Sequence, residues 1–410
     1  MWTVAFVAAE QLDAHEVTYK RFRSWILQRS STGRPTASTP AAPWRQQSFE
    51  FDAVCQRLEL DSPPRNRESA ESVLWRNPPG SDGRRRDLQP FGVLNDASGG
   101  QSVMQLGAPS LQNDYYTDLL DCSCDGLVAL ALGSSVHLWN SETCTLMGHL
   151  DPSPQPPGGT HRRSISCLRW SGDGRTLCIG TRRGETQLWD VEQKQSVRRL
   201  PSHLAVVGGL SWKQQLLSSG SVLGHIHHLD PRASWPLVGA AVQKEGICSL
   251  QWSPGGDWLA SGSTEGLLHI WDSDVAGVER SRQPIMTVKQ PSAVKAMGWC
   301  PWQRQVIATG GGWKDGQLRI WDTQSGSCVT SVSTNSQICS LRWAEKKRYL
   351  ITGHGLPHHH VACWTWKFPS LGPVHQLKGH SHRVLHLAVN PDNTRIFSAG
   401  ADQRFHVWDL

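Results

Sequence analysis

Residues Gly379–Asp409 read GHSHRVLHLAVNPDNTRIFSAGADQRFHVWD, and this one stretch decides the fold. It holds three short apolar runs, VLHLAV, RIFSAG and FHVW, separated by the turn-forming NPDNT and ADQR. The same ending recurs upstream: VHLWN (Val136–Asn140), TQLWD (Thr186–Asp190), IHHLD (Ile226–Asp230), LHIWD (Leu268–Asp272), LRIWD (Leu318–Asp322) and CWTW (Cys363–Trp366). The anchors Trp139, Trp189, Leu229, Trp271, Trp321, Trp366 and Trp408 fall 50, 40, 42, 50, 45 and 42 residues apart. A unit of that length is one four-stranded blade of a β-propeller. Seven anchors predict an all-β, seven-bladed ring.

A second motif runs in step with the first. SCLRW (Ser166–Trp170), GGLSW (Gly208–Trp212), CSLQW (Cys248–Trp252), KAMGW (Lys295–Trp299) and CSLRW (Cys339–Trp343) each read as the innermost strand of a blade. Turns such as SPGGD (Ser253–Asp257) follow, then strands such as LASGS (Leu259–Ser263), whose small residues suit the tapered centre. The period and the Trp-Asp endings are those of WD repeats. In such a repeat His380, Ser398, Asp402 and Trp408 form a structural tetrad, a hydrogen-bonded chain that satisfies otherwise buried polar groups. The first three also resemble a catalytic triad, but their repeat context assigns them to the scaffold, and no catalytic residue is expected. Asp315 and Glu265 are the matching turn acids of blades five and four.

Composition agrees. The 410 residues include 20 Trp and 38 Gly, which suits short strands and tight turns. The formal charge of +6 is too small to call for nucleic acid. No apolar run is long enough for a membrane helix, and Met1–Ala9 lacks the basic start of a signal peptide. Eleven scattered Cys fit free thiols in a reducing compartment, so a cytoplasmic or nuclear protein is expected. Residues 1–100 carry Pro- and Ser-rich tracts such as Ser30–Pro43 and Asn77–Arg86 and read as a largely disordered arm. Glu16–Gln28 could form a short amphipathic helix within it. The propeller is placed at 102–410. Because Leu410 ends the chain with three strands in the last blade, Ser102–Leu106 (SVMQL) is expected to pair with Phe405–Trp408 and close the ring.

Several segments resemble one family closely. LQNDYYTDLLDCS (Leu111–Ser123), LSSGSVLGHIHHLD (Leu217–Asp230), AVKAMGWCPWQRQVIATGGG (Ala293–Gly312), CSLRWAEKKRYLITGHG (Cys339–Gly355) and LKGHSHRVLHLAVNPD (Leu377–Asp392) are similar to the Fizzy, or cell-division-cycle-20-type, activators of the anaphase-promoting complex. The resemblance covers residues 102–410 and implies a substrate-recognition adaptor and activator of that ubiquitin ligase, not an enzyme. Its implied partners are ligase subunits and degron-bearing cell-cycle proteins, bound by a monomeric propeller without cofactor or metal. The alternative is a cell-cycle or centrosomal interaction scaffold that does not activate the ligase.

The resemblance also implies sites. A destruction-box groove between the first and last blades would use Leu120, Asp121 and Ile165, with Asp121 facing the degron's Arg. The family's final-turn Asp-Glu is Asp402–Gln403 here, one negative charge fewer. A KEN-box surface would involve Thr264, Glu265, Gly266, Trp313 and Arg383. Of these Arg383 matches, while GSTEG (Gly262–Gly266) replaces the family's GGNDN and loses both Asn amides. Weakened KEN binding is therefore expected. Neither the family's C-box in residues 1–101 nor its Ile-Arg tail after Trp408–Asp409–Leu410 can be read here, which argues against ordinary ligase activation. RLEL (Arg57–Leu60), Thr39–Pro40, Ser62–Pro63 and the His run of LPHHHV (Leu356–Val361) are weaker signals, and none is read as a metal site.

Overall fold

The computed structural model describes residues 102–152, 164–274 and 283–410. The arm, the Glu16–Gln28 helix and the RLEL motif lie outside the described residues. Within them the chain forms 28 strands and no helix. Strand β1 is Met104–Gly107. Blade one is β2–β5 (Leu120–Cys122, Leu127–Leu132, Ser135–Asn140, Leu146–Leu150). Blade two is β6–β9 (Ile165–Trp170, Thr176–Thr181, Glu185–Asp190, Gln195–Pro201), and blade three is β10–β13 (Val207–Lys213, Leu216–Ser221, His225–Leu229, Leu237–Val242). Blade four is β14–β17 (Ile247–Trp252, Trp258–Ser263, Leu267–Asp272, Met286–Lys289), and blade five is β18–β21 (Ala296–Trp299, Val306–Gly310, Gln317–Asp322, Ser327–Ser333). Blade six is β22–β25 (Ile338–Ala344, Tyr349–His354, His360–Lys367, Ser370–Lys378). Strands β26–β28 (Val384–Val389, Arg395–Gly400, Arg404–Asp409) make blade seven, and β1 is its fourth strand.

Every sheet is antiparallel in simple sequence order except the last, ordered β1-β28-β27-β26. Met104 pairs with Val407 and Leu106 with Phe405, so the first strand covers the edge that β28 would otherwise expose. The largest core cluster spans this seam. Leu120, Leu130 and Leu138 of blade one pack with Phe397, Phe405 and Val407 of blade seven and with Trp170 and Ile179 of blade two. Small residues let the strands converge on the axis. A Cβ on Gly262 would lie 1.9 Å from the Val294 carbonyl oxygen, a clash no side chain escapes.

The third strands show why Trp ends a blade. Trp408 is fully buried, which is worth about 1.5–3 kcal/mol of apolar transfer. Its indole N–H donates to Ser398 Oγ at 2.8 Å. Trp271 donates to Ser261 at 2.9 Å and Trp321 to Thr309 at 2.8 Å in the same way. In blade six the residue in this register is Trp364, opposite Leu350, and it donates to Thr352 at 2.8 Å. This corrects the sequence anchor Trp366, which instead donates to Gln303 of blade five at 2.6 Å. Blade three has Leu229 opposite Leu217, and there Ser218 accepts from Trp252 of blade four at 2.9 Å.

Candidate functional site

The seam between blades one and seven is also where the surface opens. A cavity of about 360 Å³ lies between β1 and β28 on one side and β3 and β4 on the other. Leu106, Leu132, Trp139 and Phe405 give it an apolar floor, and the Trp139 and Phe405 rings stack 6.4 Å apart. Ser134, Ser135 and His137 line one wall. A shallower lobe of about 490 Å³ continues past Gly107 and Pro109 to Gln105, Gln403 and Arg404. The result is an apolar trough with a polar rim, the form expected of a site for a short extended peptide.

The sequence-expected groove residues divide. Gln403 is exposed and lines the shallow lobe. Leu120 and Asp121 do not line either lobe. Leu120 has no accessible surface and sits in the core opposite Leu130, which corrects the expectation that it forms a ligand pocket. Asp121 accepts the Trp170 backbone N–H at 2.9 Å and lies 3.5 Å from the Arg169 guanidinium. Its carboxylate ties β2 to β6 and lines neither lobe of the trough. Ile165 starts β6, is 4% exposed, and belongs to the same core cluster.

The tetrad residues come together as a chain. His380 Nδ1 lies 3.0 Å from both Asp402 oxygens, and His380 Nε2 lies 2.8 Å from Ser398 Oγ. Burial would raise the Asp402 carboxyl, but the hydrogen bond and charge of His380 outweigh it and hold the pKa low. Ser398 is fully buried and accepts from Trp408, so its hydroxyl is out of a substrate's reach. His406, 1% exposed, places its ring 4.3 Å from that of His380. His380, Asp402 and His406 are the trio among the described residues whose ligand atoms all fall within 4.8 Å, a spacing that could hold a metal. Two of the three are already committed to the tetrad. In the LPHHHV loop His358 and His360 rings lie 5.6 Å apart, and His360 stacks on His354.

On the face bearing the blade-entry loops, Asn113–Tyr115 lies across the mouth of the ring. Asn113 Oδ1 accepts from Arg383 Nε at 2.8 Å, Asp114 pairs with Arg182, and Tyr115 Oη donates to the Ile338 carbonyl. Arg383 also reaches Gln337 at 3.4 Å. Its guanidinium thus holds the loop over blades six and seven. Thr264 is buried with no partner on Oγ1, and the Glu265 carbonyl takes the Lys289 ammonium at 2.6 Å. Gly266 has φ +85°, and a Cβ there would lie 2.3 Å from the Gln290 carbonyl oxygen, so the turn itself calls for glycine. Trp313 is half-buried, in the turn between β19 and β20 of blade five.

One cluster escapes the sequence reading. Asp118 lies in the axial channel, 3.2 Å from Arg169 and 3.3 Å from Arg342. Lys295, 6% exposed, donates to the Cys339 and Leu385 carbonyls beside it. Burial would raise the Asp118 carboxyl, but Arg342, Arg169 and Lys295 together bring it below the ordinary value. The channel cavity is only about 20 Å³, room for one water. This cluster is a strut across blades one, two, five and six. The signal was present in the sequence: SCLRW and CSLRW both place Arg immediately before the inner-strand Trp.

Comparison with known proteins follows the same outline. Residues 106–408 match the CDC20/Fizzy WD40 domain. The chain is 37% identical over 305 residues to the anaphase-promoting complex subunit cdc20 of Dictyostelium discoideum, covering 74% of this chain and 59% of that one. It is 34% identical over 314 residues to cell division cycle 20.1, cofactor of APC complex, of Arabidopsis thaliana, covering 75% and 66%. Protein FIZZY-RELATED 3 of Arabidopsis thaliana is 34% identical, covering 74% and 61%. The chain thus spans about three-fifths to two-thirds of these relatives' own length. A chain in the crystal structure of the mitotic checkpoint complex superposes with a TM-score of 0.70 at 31% identity, over 81% of this chain and 96% of that one. The chain belongs to the CDC20/Fizzy WD40 family.

Proposed function

We propose that this chain is a substrate-recognition adaptor and activator of the anaphase-promoting complex ubiquitin ligase, and that it holds degron peptides in the trough between blades one and seven. One observation carries the reading. On a propeller of this family, the seam that joins the two ends of the ring opens into an apolar trough with a polar rim. A rigid ring supports this role because an extended peptide needs only a few fixed anchors, and a preorganised scaffold lowers the ordering cost of binding. Arg383 is engaged by Asn113 and Gln337, and Thr264 is buried. Both support a weak KEN-type surface and leave the trough as the main peptide site. The expected action is binding and presentation, not catalysis.

The test is capture of purified anaphase-promoting complex by the full-length chain, run beside binding of a fluorescent Leu-containing degron peptide. Ser134→Trp places a large ring in the deeper lobe without removing a core side chain. Ligase capture together with peptide binding that Ser134→Trp lowers at least tenfold is the expected result. Peptide binding without ligase capture would make the chain a degron-binding scaffold, the alternative reading. Ligase-independent behaviour with no peptide binding would contradict the proposal.

A further inference from the structure

The charges around the trough say which peptides it takes, and this rests on the reading of the trough as a peptide site. The acid expected to meet a basic residue, Asp121, lines neither lobe, and Asp402 at the shallow lobe is committed to the tetrad. Asp121 is spent on Trp170 and Arg169. The Asp402 side chain is 2% exposed, and its oxygens take His380, the Ser381 N–H at 2.9 Å and the Arg404 N–H at 3.2 Å. Gln403, next in the chain, is neutral. The accessible charge in the shallow lobe is therefore Arg404, which is exposed. The Gln105 amide, with its carbonyl turned to the guanidinium, accepts from Arg404 Nη1 at 2.6 Å and Nε at 3.1 Å. That contact steadies the fork and leaves Nη2 with no bond among the described residues. The accessible acid of the trough, Asp151, lies in the other lobe and is exposed beside His149.

We infer that the trough selects an extended peptide with an acidic side chain against Arg404 and an apolar one on the Trp139–Phe405 floor, and that it disfavours Arg at the first position. A guanidinium fork offers a carboxylate a geometric match that it denies to another guanidinium. A basic residue is accommodated only at the opposite end, against Asp151.

The experiment compares two fluorescein-labelled peptides that differ at one position, a Glu-Ala-Ala-Leu and an Arg-Ala-Ala-Leu segment, by anisotropy on the full-length chain. The Glu peptide is expected to bind about fivefold tighter at low salt, the size of an exposed charge contact. The gap should narrow at 0.5 M salt. Arg404→Glu, an exposed position whose loss leaves the core intact, should reverse the order. Gln403→Glu should reduce the gap. Thermal unfolding of each variant reports whether the fold is kept. Equal affinities, a preference for the Arg peptide, or a Glu preference that survives Arg404→Glu would overturn the charge assignment alone. Binding of neither peptide, or binding that Ser134→Trp does not touch, would overturn the trough as the peptide site and this inference with it.

Discussion

Asp121 shows how far one residue can be read without neighbours. The sequence places an acid beside a Leu near the entry to the first blade, and a family resemblance turns both toward a ligand. Successive strand residues point to opposite faces, and which face meets solvent is decided by the adjacent blade. Here Leu120 meets the core, while Asp121 meets the first strand of blade two. Asp121→Ala would leave the buried Trp170 N–H without its acceptor and remove one of the two carboxylates beside Arg169. We expect a loss of about 1–3 kcal/mol in urea unfolding, with peptide affinity of the folded fraction changed less than twofold. A selective loss of peptide binding at unchanged stability would return Asp121 to the ligand site. Asp402 was more legible, because blade seven carries the full His, Ser, Asp and Trp set of a WD repeat, in which the four residues form an internal chain of bonds. Ser398→Ala orphans both the Trp408 indole N–H and His380, and should cost a similar amount.

At the level of the strand, periodicity located every blade but not every register. In blade six, CWTW offers two Trp two residues apart, and alternation puts both on one face. Spacing alone could not choose between them. The pairing of Leu350 with Trp364 chooses, because it sets the indole against Thr352. A double-mutant cycle between Trp364→Phe and Thr352→Ala should give a coupling of about 0.5–1.5 kcal/mol, and the cycle between Trp366→Phe and Thr352→Ala should give none. Equal couplings would mean that the register is shared. The axial strut was missed for a related reason. Asp118 and Arg342 are 224 residues apart, and only ring closure brings them together.

The whole ring carries an unusual load of buried histidine. Burial pushes His203 and His386 down to about 3, and His228, His360 and His406 down to about 4. Each is held neutral in the folded state, while the unfolded chain takes its proton near 6.5. Between those values the unfolded state binds more protons, so stability is full above pH 6.5 and falls as the pH drops toward 4. Asp118 extends the loss below the ordinary carboxylate range, since its lowered carboxyl must be protonated as the strut breaks. Thermal midpoints measured from pH 8 to pH 5 should hold down to about pH 6.5 and then decline. A flat profile would mean that these rings are not buried as described. Function is legible at this scale too. Seven blades and the family segments follow from the sequence, and the resemblance implies a groove between the first and last blades, whereas the residues that line the trough emerge only when β1 joins β28.

The trough is thus the claim on which the rest depends, and photocrosslinking addresses it most directly. A photoreactive side chain would replace Ser134 at the rim of the deeper lobe or, as a control, exposed Glu192 on blade two. A labelled Leu-containing degron peptide should crosslink at position 134, should be displaced by excess unlabelled peptide, and should not crosslink at 192. Crosslinking at both positions alike, or at neither while the peptide still binds, would contradict the account.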